Sequence, residues 1–320
     1  PNSFFKQMKF YNPNPYRGSN SMVRIIGHRG ARGLYPENSL LGFMNVLKSG
    51  IEIIELDIVF SKDGIPIITH DQDISPFFCR DSKGEFIKDK IKIWALNAEE
   101  LYTYDIGRFN PETEYGKYFP EQIQLDGVFM SSLQELLNLV QLPEYQHANL
   151  LIEIKSDPDI LDKDRKKIIS VLAKQIKDAN LINRVIFHSF DWALLSQCKH
   201  HAPGILTSYL TKTIHDDDID IQVSNWNSSI EEVQNPSAIP EKIYVAGGSI
   251  WCPHFKEITK DSLLVAKKYN LLVFEWTVNE PADIDIMIDL GVDAIVTDYP
   301  PRVKKCLASK GMNWNTALSG

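Results

Sequence analysis

The sequence predicts an α/β protein, a (β/α)8 TIM-type barrel with one long insertion after its second strand. Short apolar, β-branched runs alternate with amphipathic, glycine-terminated stretches, the pattern of parallel strands joined by helices. About eight such strand and helix pairs can be counted, the number that closes a barrel. One stretch, 74–129, loses this rhythm in turn-formers and aromatics and is too long for a plain connection.

Residues 1–21 are turn-rich and polar, and read as an arm or leader ahead of a barrel domain over 22–310. Met22–Ile26 is a short strand running into Gly27-His-Arg-Gly30, and 40–50 fits a helix stopped by Gly50. Ile51–Asp57 is a buried strand, and Ile65–Asp71 is the next apolar run. The insertion is expected to cap a site, as long connections often do. Ser132 with Glu135 suits the start of a helix over 132–140. Strands follow at 149–155, 184–190 and 204–209, with helices at 163–178 and 191–198 between them. The sixth strand is placed near 246–251, after a patternless stretch at 211–245 in which His215–Asp218 reads as a solvated charge run. Helix 261–269, strand 271–276, helix 281–291 and strand 293–298 complete the set, and 311–320 is a tail.

With 320 residues and 43% hydrophobic content, one large core suffices. A net charge of -8 and a pI near 5.5, with no block of Lys or Arg, argue against a nucleic-acid partner. No apolar run reaches the ~18 residues of a membrane span, so stable membrane insertion is not expected. The first residues lack the layout of a secretory signal, and a cytoplasmic location is the expectation, with a periplasmic or secreted one the alternative if a signal has been removed. Cys79, Cys198, Cys252 and Cys306 are widely spaced and read as buried thiols, with a bridged pair the alternative in an oxidising compartment.

The polar residues at the strand ends carry the chemistry. Glu55 and Asp57 are two apart on one strand and therefore project to one side. Two neighbouring buried carboxylates repel, so a cation between them is the economical arrangement. Glu153 and Lys155 repeat the pattern on the next barrel strand. In a barrel of this type all strands end at one face, which would gather His28, Arg29, Glu55, Asp57, His70, Glu153, Lys155 and Trp276. Taken singly, each has an ordinary structural reading; burying so many charges together without function is costly. Three carboxylates suit Mg2+ or Ca2+ better than Zn2+. Arg29 and Lys155 match an anionic phosphoryl group, and His28 and His70 allow proton removal and donation. The residues therefore predict metal-assisted phosphoryl transfer.

The chain resembles the glycerophosphodiester phosphodiesterases from about Arg24 to Pro300. The resemblance rests on Gly27-His-Arg-Gly30, Pro36-Glu-Asn-Ser39, Phe43, Glu55-Leu-Asp57, Ser61-Lys-Asp-Gly64, His70-Asp71, Glu153-Ile-Lys155, Ser189-Phe190, Trp276-Thr-Val-Asn279, Gly291-Val-Asp293 and Thr297-Asp298 with Pro300. Ser39 stands where that family commonly has Thr, which keeps the hydroxyl. The resemblance implies that Glu55, Asp57 and Glu153 hold a divalent cation and that His28 and His70 are the acid/base pair. It also implies phosphate contacts from Arg29 and Lys155, further substrate-site roles for Glu37 and Asn38 with Asn38 near the metal, and an apolar wall at Trp276. The implied reaction is attack of the glycerol 2-hydroxyl on phosphorus and hydrolysis of the cyclic phosphate, giving glycerol 3-phosphate and an alcohol such as choline or ethanolamine. Lysophospholipase D action is the alternative, with Phe77, Phe78, Phe109, Tyr115, Tyr118 and Phe119 binding an acyl chain; packing of the insertion is their plainer role. A barrel kept only as a binding module would be expected to have lost a metal carboxylate or a histidine, and none is missing.

Overall fold

In a computed structural model, described for residues 16–17, 21–157, 159–212 and 235–315, eight parallel strands close into a barrel. They are β1 (Arg24–Gly27), β2 (Ile53–Phe60), β5 (Asn149–Ile154), β6 (Val185–Ser189), β7 (Leu206–Thr211), β8 (Ile250–Pro253), β9 (Leu272–Glu275) and β10 (Ala294–Thr297). Closure comes from β1 pairing with both β2 and β10. The expected sixth strand thus begins later than placed, at Ile250, because residues 239–245 continue as helix. The 211–245 stretch, His215–Asp218 included, falls largely outside the described residues.

Alternation sorts the strand residues into two layers. Ile54, Leu56 and Ile58 of β2, with Leu150, Ile152 and Ile154 of β5, face the surrounding helices. Ile53 and Leu151 face the barrel interior, with Ile26, Ile186, Ile250 and Phe274. Residues of that same inward parity farther up the strands are Glu55, Asp57 and Glu153, so strand geometry alone aims the acids into the mouth. The helices end as their sequences require. Ser39 Oγ accepts from Gly42 N at 3.0 Å to open helix Leu40–Lys48, and Gly291 closes helix Pro281–Leu290 in the left-handed region at φ 81°.

The apolar run at 65–71 is not a stave of the barrel. Its core, β3 (Pro66–Ile68), turns back antiparallel on the overhanging end of β2, with Ile58 opposite Ile68, and β4 (Ser131–Ser132) adds to it. The descent returns the chain to the rim, where Thr69 N donates to Asp57 O at 3.0 Å. His70 therefore reaches the mouth from above. The insertion that follows has its own core, in which Tyr115 meets the rings of Phe77, Phe78, Phe109 and Phe119 at 5.1–6.3 Å. These five pack one another, the plainer of the two expected roles, while the sixth, Tyr118, is exposed.

Part of the arm is structural. Tyr16 is buried in the interior cluster, edge-on to Phe274, and its hydroxyl donates to Asn149 Oδ1 at 2.8 Å. It shares this end of the barrel with Arg24, which pairs with Glu52 at 3.2 Å. From the expected tail, Asn313 O accepts from Val23 N at 3.0 Å. Tyr16→Ala is expected to destabilise the protein by roughly 3 kcal/mol, the usual loss for a large buried ring, read as a lower urea midpoint with unchanged slope. The four cysteines are unbridged, and only Cys306 is not fully buried.

Candidate active site

β2 and β5 run in register with Asp57 opposite Glu153, which is why their acids meet. One carboxylate oxygen each from Glu55, Asp57 and Glu153 lies within 4.8 Å of the others, all buried. Glu55 Oε1 and Asp57 Oδ1 have no hydrogen-bond partner. Burial, with repulsion from Asp57 and Glu153, pushes Glu55 well above the usual carboxylate range. Asp57 is held well below it, because Lys155, His70 and Arg29 outweigh the effect of burial. Glu153 is pushed up to about 7 by burial, only partly offset by Lys155. Three clustered acids, two of them with an orphaned oxygen, and mutually frustrated ionisation are what a divalent cation relieves, and oxygen-only donors fit Mg2+ or Ca2+. The residues fit the cofactor.

In chelator, unfolded Glu153 ionises near 4.5 whereas the folded form holds its proton to about 7. The contribution of this group is therefore fully present below 4.5 and lost as pH rises to about 7. Thermal melts of wild type against Glu153→Gln are expected to show a wild-type-specific fall of order 3 kcal/mol over that window. Added Mg2+ or Ca2+ should remove it with proton release.

The cations are held by the site itself. Lys155 Nζ lies against Glu153 Oε1 and 3.4 Å from Asp57 Oδ1. Arg29 takes the left-handed conformation (φ 52°), which turns its backbone N onto Glu55 Oε2 at 2.9 Å while Nε lies 3.6 Å from Asp57 Oδ2. The glycine before His28 has no room for a side chain, since a Cβ on Gly27 would meet Gly30 O at 2.0 Å. Glu37 and Asn38 stand behind the pocket rather than in its lining. Glu37 accepts from Arg29 Nη1 at 3.0 Å and from Tyr115 Oη at 2.7 Å, so the insertion braces Arg29 through Glu37. Asn38 Nδ2 donates to Asp57 Oδ2 at 3.0 Å. Residues of 74–129 are absent from the described lining of this pocket, so the expected cap is instead a buttress; it lines a neighbouring groove through Lys117–Glu121.

Each histidine has a carboxylate at Nδ1. His28 Nδ1 is 2.7 Å from Asp298 Oδ1, and Asp298 also accepts from Arg32 Nε at 2.9 Å and Asn279 Nδ2 at 2.8 Å. Arg32 and His28 hold Asp298 well below the carboxylate range despite its burial, so it is ionised and can only accept. The His28 Nδ1 thus carries a proton, and Nε2 points to the acids, 3.8 Å from Glu55 Oε2. His70 Nδ1 is 2.7 Å from Asp71 Oδ1. Burial, then Arg29 and Lys155, lower the His70 pKa, which keeps its ring neutral at pH 7.

The wall that continues from Glu153, whose strand partner is His188, carries residues without an assigned role in the sequence reading: His188, Phe190, Leu210 and Lys212, beside the expected Trp276. His188 Nδ1 is 2.8 Å from Ser208 Oγ, and burial lowers its pKa to about 3. All have the inward parity of their strands, the signal that found Glu55 and Asp57. Asp298 continues the inward parity of Ala294 and Val296 and could have been found the same way, whereas Arg32 and Tyr115 had no such signal, because their roles depend on partners distant in sequence.

A closed parallel barrel whose rim joins three acids, two carboxylate-anchored imidazoles and two cations defines a class, the barrel hydrolases of phosphate esters. The chain belongs to the glycerophosphoryl diester phosphodiesterase family, whose model matches residues 28–302, and it is a phosphoric diester hydrolase. A Bacillus subtilis glycerophosphodiester phosphodiesterase is 26% identical over 291 residues, covering 88% of this chain and 87% of its own. A crystal structure from Silicibacter pomeroyi that carries the family's name superposes with a TM-score of 0.84 at 36% identity, covering 94% of this chain and 98% of that one. An Oleispira antarctica phosphodiesterase solved with its product sn-glycerol-3-phosphate shares the fold, with a TM-score of 0.64 at 20% identity over 90% of this chain and 97% of its own. Among the described residues no helix is long and apolar enough to cross a membrane.

Proposed function

We propose that this protein hydrolyses glycerophosphodiesters to sn-glycerol 3-phosphate and an alcohol, using a divalent cation held by Glu55, Asp57 and Glu153. The observation that carries this reading is that His28 and His70 line one pocket with Glu55 and Glu153 of the acid trio, each histidine anchored through Nδ1 and leaving Nε2 for the substrate. The product held by the Oleispira antarctica relative supports the same outcome. When bound, the cation supplies positive charge against the phosphoryl oxygens. Arg29 and Lys155 hold the phosphate beside it.

His70, neutral in its buried position, takes the proton of the glycerol 2-hydroxyl as that oxygen bonds to phosphorus. The phosphorus–oxygen bond to the alcohol breaks, and the His28 imidazolium, facing Asp298, gives its Nε2 proton to the departing oxygen. In the second half His28 takes a proton from water, water oxygen bonds to phosphorus, and His70 returns its proton to the 2-oxygen as the cyclic phosphate opens. Each histidine ends as it began. The test is release of glycerol 3-phosphate from a panel of glycerophosphodiesters with and without chelator, and from a 2-deoxy analogue. A cyclic phosphate seen by 31P NMR and an inert 2-deoxy analogue are the expected results; cleavage of the analogue at the normal rate, or activity indifferent to chelator, overturns the mechanism.

The lysophospholipase D reading has no comparable support: Phe77, Phe78, Phe109 and Phe119 are packed against Tyr115, and Tyr118 is exposed on the neighbouring groove, so none of the six aromatics is in the described lining of this pocket.

A further inference from the structure

We infer that His188 is a substrate-binding residue that holds the terminal hydroxyl of the glycerol, the one that does not attack phosphorus, and so selects glyceryl esters over esters of a methyl-ended diol. The inference rests on the phosphodiesterase reading and narrows the substrate class of that same site. His188 has the inward parity of Ile186 and stands between two inward neighbours, opposite Glu153 on β5 and opposite Ser208 on β7. Ser208 Oγ, 2.8 Å from Nδ1, fixes the ring. Among the described residues Nε2 has no hydrogen-bond partner, the Glu153 carboxylate included, and it opens onto the pocket. An imidazole ordered at one nitrogen and unpaired at the other, inside a buried site, is an incomplete hydrogen-bonding set.

Burial, then Lys155, keeps this ring neutral, so it has one donor and one acceptor nitrogen. Nε2 donates if the Ser208 hydroxyl gives its proton to Nδ1, and accepts if Ser208 receives one. A phosphoryl oxygen satisfies only the first state and a cation only the second. A hydroxyl satisfies both. Depth decides which hydroxyl. His188, Leu210 and Val296, 2–3% exposed, form the deep end of the lining, whereas Phe190 and Lys212, each two residues farther up its strand, are part-exposed, with Lys212 Nζ 4.9 Å from the Phe190 centroid. Head groups of differing size need the more open end, and the small part common to every substrate takes the deep one. With the phosphate against the cation site and the 2-hydroxyl at His70, the hydroxyl left for His188 is the terminal one of the glycerol.

The experiment compares kcat/KM, in saturating metal, for glycerophosphodiesters and their 1-deoxy counterparts, which keep the head group and the attacking 2-hydroxyl but lack the terminal one, in wild type, His188→Leu and His188→Gln. Wild type is expected to favour the glyceryl ester by at least about tenfold at each head group, because its absence leaves a buried polar nitrogen unpaired. His188→Leu should lose that factor on the glyceryl esters and little on the 1-deoxy esters, so that the preference collapses towards one. His188→Gln, whose amide gives or accepts, should recover most of it. A wild type that cleaves both kinds equally overturns the inference whether or not either variant folds. An equal loss on both kinds in His188→Leu also overturns it, because His188 would then serve the phosphate or the packing. So does a weakened calorimetric titration of His188→Leu with Mg2+ or Ca2+, which would make the ring a cation ligand. Failure of the wild type to cleave any glycerophosphodiester would instead overturn the phosphodiesterase reading beneath it.

Discussion

His28→Ala is expected to lower kcat by about a thousandfold or more, and His70→Ala by a similar factor, with the fold intact. Both rings lie in the mouth of the barrel rather than in its packed layers, so their removal leaves the apolar clusters untouched. The double variant should be little worse than either single one, because the two rings act on one proton inventory and losing either stops the cycle. Asp298→Asn separates positioning from packing. It keeps the shape but removes the ionised acceptor at 2.7 Å that holds the His28 Nδ1 proton, so about a hundredfold or greater loss in kcat with little change in KM is expected. Steady-state assays of glycerol 3-phosphate release, with thermal melts alongside, check all four variants. A His28→Ala enzyme within tenfold of wild type would remove this ring from the proton transfers.

Glu55→Gln is expected to abolish activity while making the metal-free protein more stable. Glu55 is buried with Oε1 unpartnered, and its ionisation is opposed by burial, Asp57 and Glu153. An amide of the same shape removes that repulsion, so in chelator the melting temperature should rise by a few degrees, about 1 kcal/mol or more for a chain of this size. The same change removes a cation ligand. The wild type should gain stability on titration with Mg2+ or Ca2+ by mass action, and Glu55→Gln should gain much less. Melts with and without metal, together with calorimetric titration, measure both halves. A variant that is destabilised in chelator would show that the acid cluster is a structural network and not a cation site held under repulsion.

The alternation of strands β2 and β5 was readable because a period of two needs no knowledge of partners. Glu55, Asp57, Glu153 and Lys155 could therefore be placed on one side from spacing alone, and their convergence followed from parallel strands ending together. The same reading extended to β6 and β7 finds His188, Phe190 and Lys212, which stand at inward positions without a conspicuous motif. The antiparallel return of β3 was not readable. Ile65–Asp71 has the composition of a buried strand in either direction, and only its pairing with the end of β2 shows that it lies above the barrel. Nor could the insertion's role be read, since Tyr115 matters through one hydroxyl bonded to Glu37, 78 positions away.

Local periodicity and residue chemistry thus determined, without any partner, the class of fold, the acids that face one another and the pair of imidazoles. Only the folded chain decided which carboxylate anchors which imidazole, that Glu37 and Asn38 stand behind the pocket, and that an ammonium covers the ring of Phe190. The physical reason is range. Strand parity is set by backbone geometry between neighbours, whereas a hydrogen bond such as that between His28 and Asp298 joins residues 270 positions apart and exists only once the barrel has closed.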